Sequence, residues 1–570
     1  MKTKMRNLAL LLFLSLGASA QNFIGKEILG RPTNNSIVVH AMFADSAEVR
    51  VQFGTTSGSY ASQTSWQVFA DSTPVEIALT GLNADTKYYY RINYRVPGTT
   101  NNNLGSEHSF HTARKSGSGF TFIVQADPHL DAASDTAIYN RCLQNELDDN
   151  PDFMIDLGDF LMSEKLKNSA NVVPFDTIPY RCRLLRSFYE KTCHSVPLFN
   201  VLGNHEGEAG WYNDGTANNI AVWGTNERKK YFPNPFPNNF YKGDTTHYNF
   251  TGQRGAYYSW EWGDALFIVI DPYWFTKPKP DSLNCWRWTL GKAQYDWMKS
   301  VLENSNARFK FVFSHQIVGG SREGRGGIEY ADQYEWGGNN LDGTPGFAAN
   351  RAGWYKPIKD LFKEHRVTIF FHGHDHFFGK QEKECLIYQE TPQPSHPNYN
   401  SNSATAYGYL AGQFLPNSGH IRLTVDSNGT KVEYVRAYKP ADESATRHNK
   451  DISSTYYIGK VNCYDSLTGI IPILWNSDYA NEIVYPNPFQ KDITIEMNLN
   501  KSALIDVNIY DAQGRWVRQL MHHADVSAGK YQLVWDGNQN NGSPLPDGVY
   551  YYKINAADGW QHSGKMTLIH

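Results

Sequence analysis

Phe120-Thr121-Phe122-Ile123-Val124-Gln125-Ala126-Asp127-Pro128-His129 is the stretch from which the fold is read. Its apolar start suits a buried strand. It stops at a carboxylate and an imidazole two positions apart, which an extended backbone presents on one side. The arrangement recurs downstream: Phe153–Leu157 runs into Gly158-Asp159, and Pro197–Leu202 into Gly203-Asn204-His205-Glu206. Phe309–Phe313 precedes a lone His315, and Val367–Phe371 runs into His372-Gly373-His374 with His376 beyond. Taken singly these signals are weak, since a lone histidine is usually structural and Asp127 alone reads as a helix cap. Five in fixed order, each closing an apolar run with oxygen or nitrogen donors, read as a two-metal hydrolase site.

Helical spacing lies between these strands, over Ile138–Leu147 and over Lys292–Leu302, where Tyr295, Met298 and Leu302 recur. Such alternation predicts α/β layering, with ligands gathered beyond the carboxyl ends of the strands. This central unit spans 118–440. Before it, residues 22–114 carry short alternating stretches, Ser36–Phe43, Glu48–Phe53 and Val75–Leu79, an all-β pattern. The segment Leu79-Thr80-Gly81-Leu82-Asn83-Ala84-Asp85-Thr86-Lys87-Tyr88-Tyr89-Tyr90-Arg91-Ile92, closed by Phe110-His111-Thr112, resembles the turn and penultimate strand of a fibronectin type III sandwich. That resemblance places Tyr88 or Tyr90 inward.

Residues 441–480 show no sustained period and are expected to be a linker or covering loop. From 481 to 570 the chain is β-rich again, through Tyr485-Pro486-Asn487-Pro488-Phe489, Val507-Asn508-Ile509-Tyr510-Asp511 and Asp547-Gly548-Val549-Tyr550-Tyr551-Tyr552. These stretches resemble the C-terminal sorting domains of the type IX secretion route and the immunoglobulin-like unit of flagellar hook-capping proteins. The sorting resemblance implies a Gram-negative cell, the type IX machinery as a partner and a place at the cell surface or in the medium. A plain structural sandwich is the other reading.

Lys2, Lys4 and Arg6, the apolar run Leu8–Leu16 and Ala18-Ser19-Ala20 fit a cleavable signal peptide over residues 1–20. No later apolar run approaches the ~20 residues of a membrane span. A chain of 570 residues is too long for one core, and a net charge of −4 with pI near 6.6 argues against nucleic acid as a partner. Aromatics at 14% suit β-rich cores or a cleft walled by rings. Of six cysteines, Cys182 and Cys193 are the expected disulfide pair, and none is expected to bind metal.

Two cations ~3.5–4 Å apart need a carboxylate that bridges them. Asp159 is assigned that role, because Gly158 lets the chain turn sharply behind it. The ordered motifs resemble the calcineurin-like metallophosphoesterase superfamily over about residues 120–440. The resemblance implies a four-layer α/β sandwich, with Asp127, His129, Asp159 and His376 on one metal and Asp159, Asn204, His315 and His374 on the other. His205 then stands by the leaving group as a general acid. A fibronectin-like leader before such a unit is similar to the domain order of purple acid phosphatases. Those enzymes place a tyrosine ligand where this chain has Met162, and their first block lacks the histidine that His129 supplies. The site therefore sits nearer the histidine-ligated branch.

Imidazoles, carboxylates and an amide without thiolates suit divalent or trivalent manganese, iron or zinc. The expected reaction is hydrolysis of a phosphate ester by a metal-bound hydroxide, the water pKa being lowered towards ~7. Two insertions are expected to shape the pocket. One, from Gly207 to Trp262, holds Trp211, Tyr212, Trp223 and Tyr241; the other, Gly319–Gly327, holds Arg322 and Arg325. Either arginine suits a phosphate oxygen, and the loop reads equally as solvated. Glu206 and Asp375 are expected to orient imidazoles. Alternatives are a nucleotide or cyclic-nucleotide phosphodiesterase and, from another class, a surface binding or adhesion protein with a degenerate enzyme domain.

Overall fold

The strand Phe120–Gln125 sits inside a six-stranded sheet, between Phe153–Asp156 and Gly419–Val425. It is parallel to Phe153–Asp156 (Val124 opposite Ile155), which is parallel to Leu198–Asn200, and antiparallel to Gly419–Val425 (Val124 opposite Ile421). A second sheet of eight strands contains Ala265–Val269, Phe309–Phe313, Ile369–His372 and Leu386–Glu390 as mutually parallel neighbours. This computed structural model describes residues 23–570 apart from 72–73, 282–283, 322, 460–474, 477–479, 500 and 558–560. The expected signal peptide and Arg322 lie outside the described residues.

Alternation along the strands sorts their side chains onto two faces. Phe122 and Val124 point into one core with Phe267, Phe311 and Phe371 of the second sheet, while Ile123 points the other way, onto helical residues Tyr139 and Leu143. The helices Thr136–Asp148 and Thr177–Cys193 cover that outer face. Asp135 caps the first, accepting from Ala137 N at 2.8 Å and Ile138 N at 3.2 Å. On the far side, Tyr295, Met298 and Leu302 of helix Lys292–Glu303 pack with Val312 and Phe370 of the second sheet. Strands buried on both faces read as near-continuous apolar runs, the signal their sequence carries.

The stretch expected as a linker is in part strand. Ile452–Gly459 pairs antiparallel with Gly429–Arg436 and forms the edge of the six-stranded sheet. Its alternate residues Tyr456 and Ile458 pack against the core between the sheets. Polar neighbours and the strand's edge position weakened its apolar period. The expected Cys182–Cys193 disulfide is also corrected: both thiols are free and buried. They lie on one helix, Thr177–Cys193, where eleven residues rise about 16 Å, far beyond disulfide reach. Cys385 is disulfide-bonded.

In the N-terminal unit, a sheet of Phe23–Gly30, Ser36–Phe43 and Pro74–Thr80 faces another built on Ala47–Gly54 and Lys87–Arg95. Val39, Val51, Ile77 and both Tyr88 and Tyr90 fill the core between them. Tyr90 also reaches the central unit, its hydroxyl donating to His194 O at 2.7 Å. The last unit holds two four-stranded sheets, whose buried Ile495, Val507, Trp535 and Met566 share one cluster. Among the described residues, no helix is long and apolar enough to cross a membrane.

Phe153 is fully buried where the two central sheets meet, its ring centroid 5.4 Å from Phe122, 5.3 Å from Phe267 and 5.1 Å from Trp262. Phe153→Ala should destabilise the central unit by ~3–5 kcal/mol. Calorimetry should show its transition shifted down and that of the C-terminal unit unmoved; an unshifted central transition would contradict a single core between the sheets.

Candidate metal centre

Loops leaving the carboxyl ends of five strands converge. Asp127, His129, Asp159 and Asn204 come from the six-stranded sheet, and His315, His374 and His376 from the eight-stranded one. Gly158, at φ 105°, permits the convergence: a Cβ there would lie 2.3 Å from Gly203 N, and one on Gly203 would lie 2.3 Å from Asp159 Oδ1. The two loops therefore meet backbone to backbone, which any larger residue would prevent. Asp127, His129, Asp159, His374 and His376 all adopt φ between 51° and 78°. Left-handed backbone at a non-glycine residue costs of order 1–3 kcal/mol and collects at functional sites.

Main-chain hydrogen bonds hold these bends. Asp127 N donates to Gly158 O at 3.0 Å, His129 N to Asp159 O at 3.1 Å and Gly373 N to His315 O at 3.0 Å. His374 N donates to Asp127 Oδ2 at 2.8 Å, tying one sheet's loop to the other's. Buried Glu206 accepts from Asp159 N at 3.0 Å, Phe160 N at 2.8 Å, Leu161 N at 3.1 Å, and Gly203 N. It thus clamps backbone instead of orienting an imidazole. Burial and the Asp159 carboxylate push Glu206 up to about 8, yet four donated N–H groups are matched only by an ionised carboxylate. Arg181 gathers the carbonyls of His129, Leu130 and Leu161.

Around these bends the donors form two groups, Asp127/His129/His376 and Asp159/His315/His374. Asp159 Oδ2 reaches both, 3.7 Å from His129 Nε2 and 3.1 Å from His315 Nε2. Asp127 Oδ1 lies 3.3 Å from His376 Nε2, and His315 Nε2 lies 3.2 Å from His374 Nδ1. His315 Nδ1 bonds Leu157 O at 2.9 Å and His374 Nε2 bonds Glu323 O at 3.0 Å, so each N–H points outward and the other ring nitrogen turns its lone pair inward. Asp127 Oδ1, His129 Nε2 and Asn204 Oδ1 are buried without hydrogen-bond partners. An unmet buried group costs about 1–3 kcal/mol, and bound cations, one at each donor group, match the chemistry of these oxygen and nitrogen atoms.

Proton sharing among these groups has the same pattern. Burial raises the Asp127 and Asp159 carboxyls, but the imidazoles facing them outweigh it and hold both well below the usual range. Burial lowers His315, and the Asp159 and Asp127 carboxylates more than reverse it, to about 9. Cations and imidazole protons therefore compete for one pair of carboxylates.

His205 lies at the rim, with Nδ1 hydrogen-bonded to Glu164 and Nε2 3.7 Å from Asp159 Oδ2. It borders a cleft of about 450 Å³ walled by Trp211, Tyr212, Trp288, Lys165, Lys279 and Arg325. Each insertion thus contributes to the wall, but Trp223 meets Phe175 edge to face and Tyr241 is buried in the inter-sheet core. Arg325 donates to His374 O and to Asp375 Oδ1, each at 2.9 Å, and stacks over Tyr407 at 4.2 Å. Asp375 therefore anchors an arginine, not an imidazole. His372 stays outside both groups, its Nδ1 2.7 Å from Glu390 Oε2, and burial lowers it to about 3. Glu164, Arg181 and the wall residues Lys165, Lys279 and Trp288 escape the motif reading, because none ends a strand.

Residues 120–378 match the calcineurin-like phosphoesterase family, and residues 487–559 match the FlgD Ig-like domain. No curated protein matches the chain. Among solved structures, that of PhoD is 14% identical at a TM-score of 0.55, over 78% of this chain and 91% of that one. The purple acid phosphatase PPD1 from yellow lupin (Lupinus luteus) seeds is 13% identical at 0.51, over 76% of this chain and 74% of that one. At these identities the likeness is one of fold.

Glu206→Gln should set an amide N–H₂ against backbone donors. The expected loss is about 1–3 kcal/mol of stability together with bound metal. Thermal unfolding and metal analysis check this, and a variant equal to the parent in both would remove the clamp from the account.

Proposed function

We propose that this chain, with its calcineurin-like phosphoesterase domain, is an exported dinuclear-metal hydrolase of phosphate esters. The observation that carries the reading is the position of Asp159 Oδ2 between the two donor groups. Asp127, His129, His376 and Asp159 would hold one cation, and Asp159, Asn204, His315 and His374 the other. Manganese, iron and zinc all suit this set. Such a pair, when bound, supplies Lewis acidity to a phosphoryl group and acidifies a water.

The remaining work falls to the protein's own side chains. His205 Nε2 holds the proton that a departing alkoxide takes, and the Glu164 carboxylate accepts the Nδ1–H and stabilises the imidazolium. Arg325 is pinned by Asp375 with its edge on the cleft, placed to meet a phosphate oxygen. Trp211, Tyr212 and Trp288 favour a leaving group with a flat ring, which keeps nucleotide diesters beside aryl monoesters as substrates. We read the helices outside both sheets as the four-layer sandwich and the N-terminal unit as fibronectin type III-like. Export through the signal peptide and sorting through residues 481–570 complete the proposal.

Asp159→Asn should lose metal and activity together. His205→Ala should keep its metal while kcat falls ~10²–10⁴-fold on a substrate with a poor leaving group and less on an aryl ester. Parallel assays on an aryl monoester and an aryl diester identify the ester class; full activity of metal-free protein on both would sink the proposal. Acidification should release metal as the imidazoles protonate, with activity restored by returning both pH and cation.

A further inference from the structure

Away from the strand-end loops, three side chains of different chemistry meet in the interior. Cys142 and Glu146 stand one turn apart on helix Thr136–Asp148 and so share a face. His420 projects from strand Gly419–Val425. All three are 0% exposed. Cys142 Sγ lies 3.5 Å from Glu146 Oε1 and 3.7 Å from His420 Nδ1, and the donor atoms of the three lie within 4.8 Å of one another.

We propose that Cys142, Glu146 and His420 form a separate structural site for a divalent cation with zinc-like preferences. Bonds of ~2.3 Å to sulfur and ~2.0 Å to nitrogen or oxygen at a tetrahedral angle set ligand atoms on the order of 3.5 Å apart. The observed separations from Sγ have that size. His420 Nε2 lies 2.8 Å from Asp149 Oδ2, which fixes its N–H there and turns the Nδ1 lone pair towards Cys142. Arg422 in turn neutralises Asp149 at 2.6 Å. A carboxylate behind the distal nitrogen of an imidazole is the support that ligating histidines use.

Glu146 supplies an independent sign. Its Oε2 is buried and has no hydrogen-bond partner, although the residue is completely enclosed. A thiol–carboxyl hydrogen bond through Oε1 alone leaves that atom unmet, at a cost of about 1–3 kcal/mol. A carboxylate binding through both oxygens completes four donors with Sγ and Nδ1. On loading, the thiol and carboxyl protons leave to solvent, and thiolate, carboxylate and M²⁺ sum to zero charge, as a closed apolar setting requires. The site would pin the helix following the Asp127–His129 loop to the strand beside Phe120–Gln125.

The test is cobalt substitution of the full chain, grown in cobalt-supplemented minimal medium. Among the described residues the strand-end site offers only nitrogen and oxygen donors, and of the free cysteines Cys142, Cys182, Cys193 and Cys285 only Cys142 stands in a group of metal-ligating side chains, so a thiolate-to-cobalt charge-transfer band in the near ultraviolet reports Cys142. Wild type should show that band, and Cys142→Ser should lose it together with one metal equivalent per chain while keeping its phosphoesterase activity. Wild-type protein without the band overturns the proposal, and so does Cys142→Ser that keeps both the band and the full metal content. Should Cys142→Ser fail to fold, the wild-type spectrum decides by itself.

Discussion

Asp159 Oδ2 stands 3.1 Å from His315 Nε2 and 3.7 Å from both His129 Nε2 and His205 Nε2. One carboxylate oxygen thus faces three imidazoles from three loops, and those loops leave two different sheets. The rest of Asp159 is committed too. Its Oδ1 accepts from His205 N at 2.8 Å, its N–H donates to Glu206 and its carbonyl accepts from His129 N. With both carboxylate oxygens and both main-chain polar atoms engaged, Asp159 is held in place, so the geometry between the donor groups is set before any ligand arrives.

The cost of that geometry lies in the backbone. Five donor residues bend through the left-handed region, and two glycines touch where a Cβ would collide. The offset comes from outside the donor set. Glu206 and Arg181 satisfy main-chain N–H and C=O groups of the bends, and an aromatic core of Phe122, Phe153, Phe267 and Trp262 locks the sheets from which the loops grow. Removing a ligand and removing a clamp should therefore differ: the first spares the scaffold, while the second disturbs every donor at once.

Much of this was legible in the sequence, for a definite reason. Strands buried on both faces leave long apolar runs, and their ends are where such folds place ligands, so Asp127, His129, Asp159, Asn204, His315, His374 and His376 stood out by position, as did His205 and His372, and only the resemblance to metallophosphoesterases separated the seven from those two. The strand Ile452–Gly459 was not legible, because an edge strand buries only alternate residues and Ser454 is one of them. Residues that act across long sequence separations were equally hidden. Glu164 orients His205 from forty-one positions away, and Arg181 reaches back fifty-two to His129. The expected disulfide failed because nearness in sequence, once coiled into a helix, became distance.

Two cations sharing the Asp159 carboxylate is the claim on which the functional reading stands. Anomalous diffraction from crystals of the metal-replete protein, collected at the manganese, iron and zinc absorption edges, tests it directly. The account predicts two peaks ~3.5–4 Å apart at the strand-end loops with Asp159 Oδ2 between them. A single peak, or two that leave Asp159 bonded to neither or to only one, would contradict it.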